Sequence, residues 1–200
     1  MNLIQKVKHY LYRAYWKLGN EIIPWNRVVL NQETRKLISQ IQPEKLNVFE
    51  ISGTDWKDFG FLSYKSSSMT DYDVCHSTLN ETFDLIIAEQ VFEHLLYPYR
   101  AGVNIYKMLN DGGYFLITTP FLYGIHNCPV DCTRWSETGL KYFLVECGFP
   151  IENISTGSWG NKQFLKSHAN GNFCEFYFKY WHSLENDPNF PTVVWGLARK

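Results

Sequence analysis

The chain lacks an excess of charge of either sign. Its 200 residues include 19 Lys and Arg and 20 Asp and Glu, which gives a formal net charge of −1. Nucleic-acid-binding domains usually carry a basic patch or stripe, and no stripe of Lys and Arg occurs in this sequence. We therefore expect no nucleic-acid partner and no polyanionic substrate.

The cysteines lack the close, paired spacing of a disulfide scaffold. There are five of them, an odd number, and their spacing is unlike that of a small disulfide scaffold. Cys128 and Cys132 are separated by three residues rather than two, and no second pair follows, so a zinc knuckle is not predicted. Reduced thiols in a cytoplasm are the simpler interpretation.

Long apolar runs are also missing. Basic residues interrupt the amino-terminal segment, so neither a signal-peptide core nor a membrane-spanning stretch is predicted. Residues 3–18 nevertheless have apolar residues at helical spacing with basic residues between them. Such a helix either lies on an anionic membrane surface or caps the core. We favour the cap and keep peripheral membrane contact as the alternative.

No linker rich in Gly, Ser or Pro divides the chain, and no internal repeat is present. We predict a helical extension over residues 1–44 and one domain over residues 45–200. Within the extension, Asn31 is a suitable N-cap for a helix that Pro43 ends.

Residues 81–120 are the most informative stretch. Residues 83–88 are almost entirely apolar, which is typical of a parallel strand covered on both faces. A predicted helix over residues 99–109 ends at Gly112 and Gly113, and a second buried strand runs to Pro120. Alternating strands and helices predict an α/β fold with a Rossmann-like, mostly parallel sheet flanked by helices in a three-layer sandwich.

The segments FDLIIAEQVFEHLLYP, LNDGGYFLITTPF and NVFEISGTDW resemble class I S-adenosylmethionine-dependent methyltransferases of the type 11 kind. The likeness covers about residues 45–160. It implies S-adenosylmethionine as the cofactor and methyl donor. It also implies that residues 120–149 lie over the acceptor.

The predicted donor site begins after the first strand. Glu50 ends that strand, and Ser52 and Gly53 form a tight turn that a nucleoside or methionine group can approach. The family pattern has more glycines here. Because the donor carries no pyrophosphate, this loop need not cradle phosphates. The alternative is an ordinary strand-ending turn.

An acid after the second strand normally accepts the two ribose hydroxyls in this family. Asp71 and Asp73 are the candidates, and solvated turn aspartates are the alternative. The resemblance further places Glu89 and Gln90 at the junction of the donor and acceptor pockets.

Gln90, Glu93 and His94 would share one face of a helix that begins near Gln90. In some related methyltransferases a similar Glu-x-x-Glu-His element holds a divalent metal, and Gln90 replaces its first Glu here. We therefore predict no metal, although His126 is available as a fourth ligand. Instead, Glu93 and His94 are predicted to orient the loop and substrate as catalytic residues.

Beyond Pro120, His126 is the best candidate for a general base, because a neutral imidazole accepts a proton near physiological pH. Asp131, Arg134 and Trp135 are predicted to bind the acceptor. The alternative is an Asp131–Arg134 pair that braces a loop, with His126 merely exposed. Residues 158–173 are interpreted as a loop over the site, and residues 190–200 as the last strand.

The sequence thus predicts a methyltransferase that acts on a small molecule or a glycan precursor. A catalytically silent module of the same fold is the alternative, since the donor loop has few glycines.

Overall fold

The computed structural model describes residues 23–170 and 176–200. The helix predicted over residues 3–18, and with it the membrane alternative, lies outside these residues. Within them, no helix has both the length and the apolar character needed to cross a bilayer. The helices are α1 (Trp25–Ser39), α2 (Pro98–Met108), α3 (Glu137–Glu146) and α4 (Lys162–Ala169), and the strands are β1 (Asn47–Glu50), β2 (Ser63–Ser66), β3 (Phe83–Glu89), β4 (Leu109–Pro120), β5 (Ile154–Trp159) and β6 (Val193–Arg199).

The strands form one sheet in the order β2-β1-β3-β4-β6-β5. The pairings from β2 to β4 are parallel, whereas β6 runs antiparallel to both β4 and β5. The strand order reverses at β1. The chain passes from β1 to β2 on one side of β1, and then crosses over to β3 on its other side. Binding sites form at such a switch point in open α/β sheets.

Helices cover both faces of the sheet. On one face, α2 and α3 pack against strand residues such as Phe49, Ile86 and Phe115. On the other face, α1 packs through Ile38 against alternate strand residues, and its Trp25 joins a cluster at β5 and β6. The predicted three-layer α/β fold is therefore confirmed. The boundary at residue 44 stays a prediction, although α1 forms part of an outer layer.

Three local predictions were wrong. Helix α1 begins at Trp25, after Pro24 as its N-cap, and not after Asn31, because burial of Trp25 and Leu30 extends the helix beyond its local signal. Helix α2 ends at Met108, so the Gly112–Gly113 pair lies inside β4 rather than at a helix end.

The segment 158–173 was predicted to be a loop, but it contains the end of β5 and the whole of α4. The signal that sequence reasoning missed is Asn161, whose side chain accepts a hydrogen bond from the backbone N of Phe164 and so caps α4.

Candidate functional site

A cavity of about 400 Å³ lies at the carboxyl ends of the parallel strands, and we call it the strand-end cavity. Its lining is mainly apolar and includes Ile51 and Ser52 after β1, Asp73 after β2, and Val91 and His94 after β3. This size and a mostly apolar wall with a few polar groups are typical of sites for small molecules and cofactors.

The loop after β1 is shaped by a buried carboxylate. Glu50 is 1% exposed, and it accepts hydrogen bonds from the backbone N of Asp55 and of Trp56, each at 3.1 Å, and from the Tyr64 hydroxyl at 2.5 Å. Burial raises the pKa of Glu50. Glu50 is thus occupied by its own loop, and its direct contact with a donor stays a prediction.

Gly53 is required by this arrangement. A Cβ atom at Gly53 would overlap the Glu50 carboxylate, which three hydrogen bonds hold in place. Ser52 has a φ of 56° and lines the strand-end cavity. The single glycine therefore has a steric function, and contact of Ser52 and Gly53 with a donor stays a prediction.

The two candidate ribose acids differ in position. Asp73 lines the strand-end cavity, and one of its carboxylate oxygens accepts a hydrogen bond from the Cys75 backbone N at 2.8 Å. Asp71 does not line this cavity and accepts a hydrogen bond from the Thr70 hydroxyl, while both aspartates are exposed. The geometry thus favours Asp73 over Asp71 for contact with a ligand.

Glu89 faces away from the strand-end cavity. It pairs with Arg27 of α1, and its second oxygen accepts a hydrogen bond from Trp56 Nε1 at 2.8 Å. Glu89 also borders a second hollow of about 260 Å³ between α1 and the β1 loop, to which Asn31 and Thr34 contribute. We call this the α1 hollow.

Gln90 lies between the two hollows without lining either. It has a φ of 56°, its backbone N donates to the Thr118 carbonyl at 3.0 Å, and its side-chain amide donates to the Thr118 hydroxyl. A 3-10 turn begins only at Phe92. The predicted common helix face of Gln90, Glu93 and His94 is therefore wrong, because the left-handed backbone at Gln90 breaks the helix register.

The structure nevertheless brings Glu93 and His94 together with His126. One potential ligand atom from each of the three lies within 4.8 Å of the others. Glu93 is fully buried, and neither of its carboxylate oxygens has a hydrogen-bond partner. Burial raises the pKa of Glu93 well above its usual range. The roles of these residues in catalysis stay predictions.

Asp131 and Arg134 form the bracing pair that the sequence left as an alternative. Two guanidinium nitrogens of Arg134 donate to the Asp131 carboxylate, and the hydrogen bond from Arg134 lowers the pKa of Asp131 to about 2. Asp131 also accepts a hydrogen bond from the His126 backbone N at 2.8 Å. His126 is therefore fixed next to His94, with ring centroids 5.0 Å apart, rather than merely exposed.

Trp135 corrects the predicted acceptor group. Its side chain is buried and packs on Phe143, with ring centroids 4.9 Å apart. The indole belongs to the core beneath α3, because α3 follows directly and draws the residue inward.

Sequence reasoning missed Arg27, Trp56 and Tyr64, which fix the side chains of Glu89 and Glu50. No local pattern marks them, since Arg27 and Glu89 are 62 positions apart and Trp56 and Glu89 are 33 apart. Their function depends on the fold alone.

Comparison with known proteins supports the resemblance seen in the sequence. The family model described as a methyltransferase domain matches residues 56–117, which include β2, β3, α2 and most of β4. No curated protein sequence matches the chain significantly.

The fold is shared with solved methyltransferases at low sequence identity. A S-adenosylmethionine-dependent methyltransferase from Archaeoglobus fulgidus is 12% identical, with a TM-score of 0.54 over 96% of this chain and 100% of that one. A putative one from Listeria monocytogenes is 9% identical, with a TM-score of 0.54 over 84% and 97%.

The Haemonchus contortus phosphoethanolamine N-methyltransferase 2, solved with S-adenosylmethionine, is 14% identical, with a TM-score of 0.51 over 84% of this chain and 52% of that one. The comparisons therefore show the fold of these methyltransferases, with the family model matched over residues 56–117.

Proposed function

We propose that this chain transfers a methyl group from S-adenosylmethionine, bound in the strand-end cavity, to a small-molecule or glycan-precursor acceptor. The observation that carries the proposal is the position of that cavity at the carboxyl ends of β1, β2 and β3, on the side of the sheet where its order reverses. Ser52 and Asp73 line the cavity, and Asp73 supplies a carboxylate.

A carboxylate suits the donor's ribose, because its two oxygens can accept hydrogen bonds from two neighbouring hydroxyls. The apolar wall formed by residues such as Ile51, Val74 and Val91 suits an adenine ring. These contacts involve no phosphate, so a loop with one glycine is sufficient for this ligand.

The α1 hollow supports a small acceptor. It lies on the other side of the β3 carboxyl end from the strand-end cavity, and its volume of about 260 Å³ admits a small molecule or the end of a larger one. Asn31 offers an amide that can hydrogen-bond hydroxyls or amines, whereas the Thr34 hydroxyl already donates to the Leu30 carbonyl. Both Glu89 oxygens are held by Arg27 and Trp56. Methyl transfer needs mainly alignment and exclusion of water, so the chemistry requires no covalent nucleophile from the chain.

Calorimetry with S-adenosylmethionine and with its demethylated product, adenosylhomocysteine, tests the donor half of the proposal. We expect saturable binding of both at one site per chain, with competition between them. The alternative of a silent module predicts binding of neither. A heat of binding that survives replacement of Ser52 by Trp would place the ligand elsewhere and contradict the assigned cavity.

The acceptor half is tested by incubating the chain with methyl-labelled donor and fractions of small metabolites and glycan precursors. We expect label in a compound below the size of a folded macromolecule. Label found only in protein or nucleic acid would contradict the proposed acceptor class while leaving donor binding intact.

A further inference from the structure

Glu93 is a buried carboxylate that lacks any hydrogen-bond partner on either oxygen. Buried polar atoms are almost always paired, and an isolated carboxylate is especially unfavourable in an apolar environment. The Arg134 guanidinium interacts with Glu93 through its charge but donates no hydrogen bond to it, since Nη1 and Nη2 donate to Asp131 and Nε has no partner among the described residues. Glu93 therefore has a free ligand group at a position where a cation would offset its burial.

His94 is held in the tautomer that a metal ligand needs. Its Nδ1 lies 2.6 Å from the Val130 carbonyl oxygen, which can only accept a hydrogen bond, so Nδ1 carries the proton. The lone pair is then on Nε2, which lies 3.7 Å from a Glu93 oxygen. A hydrogen bond from the second ring nitrogen to a carbonyl is the usual support of a histidine that binds a metal.

His126 completes the group. Its ring lies at 84° to that of His94, with centroids 5.0 Å apart, and it offers a ligand atom within 4.8 Å of those of Glu93 and His94. The hydrogen bond from its backbone N to Asp131 fixes the loop that carries it. Metal–ligand distances of about 2.1 Å place two ligand atoms of a tetrahedral ion about 3.4 Å apart. Small side-chain movements would therefore bring the three ligand atoms to the separation that a bound ion requires.

We propose that Glu93, His94 and His126 form a binding site for a first-row divalent cation, with Zn²⁺ as the best fit. Two imidazoles and one carboxylate suit zinc and its neighbours, whereas Mg²⁺ and Ca²⁺ favour oxygen ligands. Three protein ligands leave a coordination position open, as in zinc sites that bind water or substrate. In this arrangement His126 is a ligand rather than a general base. The cation site does not depend on methyl transfer.

Calorimetry on the full chain, after treatment with a chelator and its removal, tests the proposal with ZnCl₂ and MgCl₂ as separate probes. We expect one Zn²⁺ per chain and at least tenfold weaker binding of Mg²⁺. Glu93→Gln and His126→Ala should each weaken Zn²⁺ binding at least tenfold. The control His76→Ala removes an exposed histidine outside the cluster and should leave the affinity unchanged.

A second measurement guards against misfolded variants. Zn²⁺ should raise the melting temperature of the native chain but not of Glu93→Gln. Without metal, Glu93→Gln should melt no lower than the native chain, because it removes a carboxyl group whose charged form is disfavoured by burial. Zn²⁺ binding by folded Glu93→Gln at native affinity would overturn the proposal.

The exposed thiols of Cys128 and Cys132 are the competing zinc ligands. The double variant C128S/C132S should bind Zn²⁺ as tightly as the native chain, and bound Co²⁺ should show no sulfur-to-metal absorption. Loss of binding in C128S/C132S would assign the ion to the cysteines and overturn the proposal. Failure of the donor to bind would contradict the proposed function and leave the cation site in place.

Discussion

The guanidinium of Arg27 in α1 pairs with the carboxylate of Glu89 at the end of β3. The Glu89 side chain is 8% exposed, and its second oxygen is held by Trp56 Nε1. One carboxylate thus connects the helix on the sheet face, the loop after β1 and the strand that ends between the two hollows. Removal of either Arg27 or Trp56 leaves the mostly buried Glu89 carboxylate with one partner fewer.

Arg27→Ala should therefore destabilise the fold. It leaves a mostly buried carboxylate with one partner fewer, which costs about 1–3 kcal/mol. Urea unfolding followed by circular dichroism measures the change. The control Lys36→Ala on the exposed side of α1 should change the free energy of unfolding by less than about 0.5 kcal/mol, and Arg27→Ala combined with Glu89→Gln should recover part of the loss. An unaffected midpoint in Arg27→Ala would contradict the importance of the pair.

Gly53→Ala should damage the loop after β1. The added methyl group overlaps the Glu50 carboxylate, which cannot move without breaking its bonds to the Asp55 and Trp56 amides. We expect a loss of about 1–3 kcal/mol in unfolding free energy and weaker adenosylhomocysteine binding. Thr54→Ala, in the same loop but exposed, serves as the control for both readouts. Equal unfolding free energies and equal adenosylhomocysteine affinities in the two variants would show that the loop accommodates the added methyl group.

Asp73→Asn and Asp71→Asn form a matched pair for the ribose contact. Both aspartates are exposed, but of the two only Asp73 lines the strand-end cavity. A hydrogen bond to a charged group contributes about 1.5–3 kcal/mol, so Asp73→Asn should weaken adenosylhomocysteine binding about tenfold or more. Asp71→Asn should bind adenosylhomocysteine with the affinity of the native chain. A larger effect in Asp71→Asn would reverse the assignment of the ribose acid.

His168 should make the fold less stable in mild acid. Its Nε2 accepts a hydrogen bond from the Gly124 backbone N at 2.8 Å, and burial lowers its pKa below the usual value of 6.5. The unfolded chain therefore binds this proton more readily than the folded chain, so the stabilisation is present above pH about 6.5 and is lost as the pH falls.

The test compares urea midpoints at pH 7 and pH 5 in the native chain and in His168→Gln. We expect the drop in the midpoint to be smaller in His168→Gln, while the exposed control His76→Gln should keep the native pH dependence. A native chain with the same midpoint at both pH values would contradict the expectation.

The sequence predicted those helices and strands whose residue pattern is contained within the segment itself. The apolar run of β3, the helix that follows it and the buried β4 were all recognisable, because burial of a parallel strand on both faces imposes its own pattern. The same pattern directed attention to the edge where the strand-end cavity lies, since loops at the carboxyl ends of parallel strands share one edge. The start of α1 and the whole of α4 were missed, since the first depends on packing and the second on one capping side chain.

The tertiary structure decided what each candidate side chain does. Sequence order makes Glu89 and Gln90 equivalent neighbours, yet one pairs with Arg27 and the other is tied to Thr118. It also groups Trp135 with Asp131, whereas the fold buries the indole in the core. The sequence by itself determined the α/β architecture and the edge that carries the candidate site, because these follow from residue periodicity. Only the fold determined that Glu93, His94 and His126 converge, because their separation depends on where two loops from different strands come to lie.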